Sequence, residues 1–171
     1  SAYRLATAHQ AGYLEFGTFT FKLSSVYDLF PPELFRACLQ SIEDKGKSIS
    51  PLEAFLRLFP KTNLARDIFH LLEGSRIDHC LRREYRGLKK EMDLFLKKTM
   101  EKRPSPTSLP LQEAVLESIL RISVLRKTDG NFPEVVTWHL QELLSLLTPI
   151  LEKGATVADS ARATVILYRW L

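Results

Sequence analysis

Leu64-Ala65-Arg66-Asp67-Ile68-Phe69-His70-Leu71-Leu72-Glu73-Gly74-Ser75-Arg76-Ile77-Asp78-His79-Cys80-Leu81-Arg82-Arg83 is the stretch on which the fold class turns. Its apolar residues recur three and four apart, as on one side of a helix with 3.6 residues per turn, and Leu64, Ala65, Ile68, Phe69, Leu71 and Leu72 form the stripe. Thr62 or Asn63 is the expected cap, and the helix is expected to run to about Arg83. Gly87 is read as its break, with Leu88 to Glu101 continuing as a basic helix.

Helical signals extend in both directions. Upstream, Leu5, His9, Gly12 and Tyr13 share a stripe on a helix from Tyr3 to Leu14, with Gly17 as its stop. Thr18 to Leu23 has the alternation of a strand but no partner strand, so it is read as a connector. Pro31-Pro32 opens a short helix over Glu33 to Ser41. Ser50-Pro51-Leu52-Glu53 is a capping box that starts a helix reaching Phe59, where Pro60 stops it. Downstream, Arg103-Pro104-Ser105-Pro106-Thr107-Ser108-Leu109-Pro110 reads as a linker. Three helices are expected after it: Leu111 to Lys127, Pro133 to Leu151 with Asn131 as cap, and Val157 to Leu171 with Thr156 as cap. Asp129-Gly130-Asn131 is the turn between the first two. The expectation is an all-α, irregular multi-helix bundle. It has a helical subdomain over 1–102, a linker over 103–110, and a three-helix subdomain over 111–171 docked on the first.

Composition narrows the class. Apolar residues make up 45% of the 171 and charged residues 26%, enough of the former to fill a core and exclude a disordered chain. No run approaches the ~20 apolar residues of a membrane span. Ser1-Ala2-Tyr3-Arg4 is not followed by the apolar run of a signal peptide. Two cysteines far apart, Cys38 and Cys80, are expected to be free thiols, which suits the cytoplasm. The absence of an initiator Met, and a last stretch Ile166-Leu167-Tyr168-Arg169-Trp170-Leu171 without a cap, lead to the expectation of a piece of a longer protein. The net charge is +4, but Arg82 to Arg103 alone carries nine basic and four acidic side chains, so the basicity belongs to one surface.

Two constellations carry potential chemistry. A zinc-peptidase helix uses His-Glu-x-x-His, since residues four apart bring both imidazoles to one metal while the glutamate activates water. In His9-Gln10-Ala11-Gly12-Tyr13 only His9 matches. Gln10 stands in place of the base and Tyr13 in place of the second ligand, and an amide cannot accept the proton. The second constellation is Glu73-Gly74-Ser75-Arg76-Ile77-Asp78-His79. Helical projection turns Ser75 and His79 inward with the apolar stripe, and Arg76 is spaced to pair with Glu73. Two readings stay open for these residues. One is a buried polar network of His9, Glu73, Ser75, Arg76, Asp78 and His79. The other is a metal site, vestigial or active, using His9 and Glu73, with Glu15 or Asp78 as a further ligand, in a zincin-like domain whose peptidase activity is residual or lost. No phosphate loop, Cys-x-x-Cys pair or nucleophile elbow occurs, so no catalytic residue and no resident cofactor is assigned. On the basic helix, Arg82, Arg83, Arg86, Lys89, Lys90, Lys97 and Lys98 are the expected partner-binding residues. Interleaved Glu84, Glu91, Asp93 and Glu101 fit a solvated face with intrahelical pairs; an acidic protein partner is the next reading, ahead of a nucleic acid.

Several blocks, in order, resemble one family. They are His9-Gln10-Ala11-Gly12-Tyr13-Leu14-Glu15-Phe16-Gly17-Thr18-Phe19; Leu64-Ala65-Arg66-Asp67-Ile68-Phe69 leading into Leu72-Glu73-Gly74-Ser75-Arg76-Ile77-Asp78; Leu81-Arg82-Arg83-Glu84-Tyr85-Arg86-Gly87-Leu88; and Thr156-Val157-Ala158-Asp159-Ser160-Ala161-Arg162-Ala163 with Leu167-Tyr168-Arg169. Together they resemble the helical region preceding the von Willebrand factor A domain of NorD/CbbO-type proteins. The resemblance implies a non-catalytic adaptor with a degenerate zincin-like core. It would work with a MoxR-type AAA+ ATPase to activate or mature a target enzyme. The A domain's own Asp-x-Ser-x-Ser motif is absent from this chain.

Overall fold

The computed structural model describes residues 2–43, 49–125 and 130–171, without the side chains of 41–43. Among the described residues there are helices, 3₁₀ turns and no strand. The helices are α1 (Ala2–Glu15), α2 (Pro32–Glu43), α3 (Pro51–Leu56), α4 (Thr62–Glu84), α5 (Arg86–Glu101), α6 (Leu111–Leu125), α7 (Glu134–Trp138), α8 (Leu140–Leu147) and α9 (Val157–Trp170). None is long and apolar enough to cross a membrane.

α4 is the axis of the molecule, and its surroundings explain its composition. Ala65 and Phe69 enter a core with Phe21, Val26, Phe55 and Phe59 and with Val157, Ala161 and Val165 of α9. Ile68 and Leu72 enter a second core with Ile119 and Ile122 of α6, Leu143 and Leu147 of α8, and Leu167 of α9. Ile77 and Leu81 enter a third, with Leu5 of α1 and Met92 of α5. A helix covered on several sides needs apolar residues on several sides. The expected stripe is therefore two faces: Ala65 and Phe69 on one, Ile68 and Leu72 on the other. The first core is aromatic: the Phe55 and Phe59 rings meet edge to face at 5.2 Å and Phe30 stands 5.4 Å from Phe59, the geometry that ring quadrupoles favour.

Helix ends follow local chemistry. Gly17 takes φ 73, the left-handed conformation that closes α1. Ser50 accepts a hydrogen bond from the Glu53 amide, with Pro51 at the first helical position as expected, but the Glu53 carboxylate accepts from Arg57 and Arg66 instead of closing the box. Thr156 and Asp159 form a reciprocal capping box on α9. Thr18 to Leu23, read as a connector, runs from a 3₁₀ turn at Thr18–Thr20 through Phe21 and Lys22 to the start of another at Leu23–Leu29.

Other boundaries differ from expectation. α3 ends at Leu56, and Leu58 and Phe59 turn down into the core instead of extending the helix. Lys61 occupies the cap position of α4, while the Thr62 hydroxyl donates to the Phe59 carbonyl. Tyr85, not Gly87, separates α4 from α5. The single helix expected over Pro133 to Leu151 is α7, α8 and a 3₁₀ turn at Pro149–Leu151, with Pro133 rather than Asn131 at the cap position. Pro149 lacks the N–H that would continue α8, and its ring would meet the carbonyl four residues back. The expected end of α6 at Lys127, and Asp129 of the turn, lie outside the described residues.

Residues 103–110 are pinned. Pro106 is buried, and the Arg103 guanidinium grips the Glu117 carboxylate of α6 at 2.6–3.0 Å. Arg121, one turn on, also donates to Glu117, and its Nη2 reaches the carbonyls of Met100, Arg103 and Pro104. These carbonyls end α5 and its following turn; that of Met100 also accepts from the Arg103 amide.

Candidate functional site

The seam between α1 and α4 collects most of the polar residues singled out above. α1 approaches closely because of Gly12: a Cβ there would stand 2.6 Å from Cγ2 of Ile77. At Gly74, opposite, a Cβ would meet the His9 ring at 3.7 Å and the Tyr13 hydroxyl at 3.4 Å, ordinary contact distances, so both side chains pack directly over this residue. His9 thus lies over α4, with Nδ1 2.8 Å from Asp78 Oδ1 and Nε2 3.2 Å from the Tyr13 hydroxyl. Burial and the carboxylates of Glu73 and Asp78 push the Tyr13 phenol up, against the pull of Arg76, so it stays protonated at neutral pH. Both ring nitrogens of His9 thus have a partner within hydrogen-bond distance, Nδ1 in Asp78 and Nε2 in Tyr13.

Glu73 and Arg76 lie beneath, both sealed from solvent. Arg76 Nε donates to Glu73 Oε2 at 2.8 Å and Nη2 to Oε1 at 2.6 Å. Thr18, also buried, donates its hydroxyl to Glu73 Oε1. The rest of the guanidinium reaches the carbonyls of Phe16 at 3.0 Å and Ala155 at 3.2 Å. One ion pair therefore ties α4 to the end of α1 and to the turn before α9. Burial works against the Arg76 charge, but the hydrogen bonds and charge of Glu73 outweigh it and hold the guanidinium above its ordinary value.

Ser75 faces away from this seam, toward α6. Its hydroxyl lies 2.8 Å from the Leu71 carbonyl and 2.9 Å from the Ser123 hydroxyl. The hydrogen bonds thus gather the singled-out residues in three groups: His9 with Asp78, Glu73 with Arg76, and Ser75 with Ser123. Tyr13 stands between the first two. His79 is half-buried and belongs to another feature, described below. A metal ion at Glu73 would have to displace the Arg76 guanidinium from both carboxylate oxygens. Among the described residues no three His, Cys, Asp or Glu side chains gather where they could hold a metal. Glu15 is engaged elsewhere, accepting from the Tyr85 hydroxyl at 2.5 Å. Both cysteines are free, and burial raises both thiols.

The other feature is a cleft of about 730 Å³ between α4, α5 and α6. α4 supplies His79, Arg82 and Arg83. α5 supplies Lys89, Asp93, Leu96, Lys97, Met100 and Glu101, one helical face by their spacing. α6 supplies Arg121, Val124 and Leu125. Five basic side chains thus face two acidic ones around a floor of Leu96, Met100, Val124 and Leu125. Of the expected partner-binding residues, Arg82, Arg83, Lys89 and Lys97 line this cleft. Arg86, Lys90 and Lys98 are exposed outside it, Lys90 and Lys98 being one residue past Lys89 and Lys97, about 100° round the helix.

Sequence reasoning missed Arg121 as a cleft wall and Glu117 as its anchor. The signal was the i, i+4 spacing of Glu117 and Arg121 inside an otherwise apolar helix. It also missed Thr18 as a partner of Glu73, a contact between distant segments that no local pattern announces. No protein family, curated protein or solved structure matches the chain.

Proposed function

We propose that this chain is a non-catalytic helical adaptor domain that acts in the cytoplasm by binding other proteins. The observation that carries the reading is the cationic cleft between α4, α5 and α6, a concave charged surface on a body whose other conspicuous polar groups are committed to holding helices together. The residues resembling a peptidase helix support the same reading. His9 is taken up by Asp78 and Tyr13, Glu73 by Arg76 and Thr18, and Gln10 offers no base. With the resemblance to NorD/CbbO-type proteins, the proposed partners are a MoxR-type AAA+ ATPase and a target enzyme that the ATPase activates. The test is capture of the purified cognate ATPase on the immobilised chain, with the full-length protein as positive control. Retention of the ring by the chain supports the reading; retention by the full-length protein alone ends it.

A further inference from the structure

We infer that the cleft between α4, α5 and α6 is a receptor for an acidic amphipathic peptide segment, whose carboxylates meet the basic walls while an apolar side chain enters the floor. The inference rests on the adaptor reading and names the partner chemistry it requires.

The walls specify anions. Lys89 and Lys97 have no ion-pair partner among the described residues, so their charge is available to a ligand. Arg121 is held from behind by the buried Glu117 and by three backbone carbonyls, so its position is set before anything binds. A group fixed in advance loses less freedom on binding than a mobile one. On the α4 wall, Arg82 Nε and Arg83 Nη1 are buried without a hydrogen-bond acceptor among the described residues. Asp93 Oδ1 lies 3.2 Å from Arg82 Nε, near enough for an ion pair but outside hydrogen-bond geometry. Both side chains are only half-buried, Arg82 paired with Asp93 and Arg83 with Glu84, and guanidinium groups are the side chains best matched to carboxylates.

The floor specifies the rest. Met100 and Val124 are buried, and Leu96 and Leu125 half-buried, beneath the charged rim. Apolar anchors surrounded by polar contacts are the usual arrangement where one protein grips another, and methionine adapts its shape to the side chain that arrives. A nucleic acid is the poorer fit. The exposed aromatics Tyr85 and Phe95, on which bases would stack, lie outside the cleft rather than along it.

The experiment uses a short fluorescent peptide of glutamates, with leucines spaced to form one helical face. Two control peptides replace every glutamate by glutamine, or every leucine by serine. A labelled single-stranded oligonucleotide is the fourth probe. Saturable binding of the first peptide is expected, weakened on the order of tenfold by either control change and by the Lys89→Glu/Lys97→Glu variant. Both lysines are exposed, so that variant keeps the fold, and an unchanged melting curve verifies it. Arg83→Gln gives a second, charge-neutralising readout. No saturable binding, binding indifferent to these substitutions or to loss of the leucines, or tighter binding of the oligonucleotide overturns the inference. ATPase capture separates the two proposals. Capture by both wild type and Lys89→Glu/Lys97→Glu keeps the adaptor reading and removes the cleft. Peptide binding as expected with no ATPase capture keeps the cleft as a receptor and removes the ATPase as its partner.

Discussion

Replacing Arg76 by methionine tests the central structural claim, that the polar residues of the α1–α4 seam are a tether. The substitution keeps a long side chain in the same space but strips Glu73 of its guanidinium, and leaves the carbonyls of Phe16 and Ala155 without donors. The Glu73 side chain is fully buried, so water cannot reach it to compensate. Removing one partner of such a pair costs about 3–5 kcal/mol. For a chain of this size, about 2–4 °C of melting temperature corresponds to each kcal/mol, which gives a fall of roughly 6–20 °C. Glu73→Leu alone should be costly for the mirror reason, a buried guanidinium with no counter-charge. The double variant Glu73→Leu/Arg76→Met removes both charges and leaves the Thr18 hydroxyl and the two carbonyls to find other partners, at about 1–3 kcal/mol for each that fails. It should therefore lose clearly less than the sum of the two single variants. Urea unfolding of all four proteins closes the cycle. A coupling energy near zero, or an Arg76→Met loss below ~1 kcal/mol, refutes the reasoning.

Three further outcomes follow from named contacts. Gly12→Ala should destabilise by about 1–2 kcal/mol despite alanine's better helix propensity, because its Cβ would stand 2.6 Å from a buried Ile77 methyl. Gly87→Ala meets nothing within 4 Å and should be neutral or stabilising by up to ~1 kcal/mol; thermal melts that reverse this order remove the close-packing argument. The Asp28 carboxyl, hydrogen-bonded by Arg162, is held below the usual aspartate range, so its contribution is present above the ordinary value and lost as pH falls through the depressed one. Carboxyl NMR should place its midpoint below ~3.9, and Arg162→Gln should bring it back up; a midpoint at or above that value in the wild type contradicts the pairing. Finally, burial raises both thiols, so a thiol-reactive dye at neutral pH should modify half-buried Cys38 before buried Cys80, and the reverse order would show the packing around α4 opening before that around α2.

What the sequence revealed and what it hid have physical explanations. Capping chemistry is local, and so Ser50 and Thr156 could be placed from their neighbours alone. The break at His139 could not. Val135, Val136, Leu140, Leu143, Leu144, Leu146 and Leu147 keep an unbroken apolar pattern across it, since α7 and α8 both feed the second core. The pairing of Glu73 with Arg76 was legible as an i, i+3 spacing, but its closure by Thr18, Phe16 and Ala155 depends on tertiary contacts. Helical projection puts Ser75 and His79 inward on a single stripe. α4 is covered on several sides, so Ser75 turns to α6 and His79 to the cleft.

The tether and the cleft are consecutive stretches of one helix. Arg76 fixes the rotation of α4 against α1 and against the turn before α9, and His79, Arg82 and Arg83 follow within two helical turns. A helix does not twist freely over so short a length, since each turn is closed by backbone hydrogen bonds. Rotation of α4 by even one residue's step, about 100°, would carry the cleft arginines off the wall and drive Glu73 out of its seal. Glu117 does for α6 what Glu73 does for α4: nearly buried, it aims Arg121 while holding Arg103 against the helix. Two buried glutamates thus position the guanidinium groups of two walls without touching anything that enters between them. In this arrangement the positions resembling a peptidase site are used to orient the walls of the cleft, and the requirement for buried charge at Glu73 is mechanical.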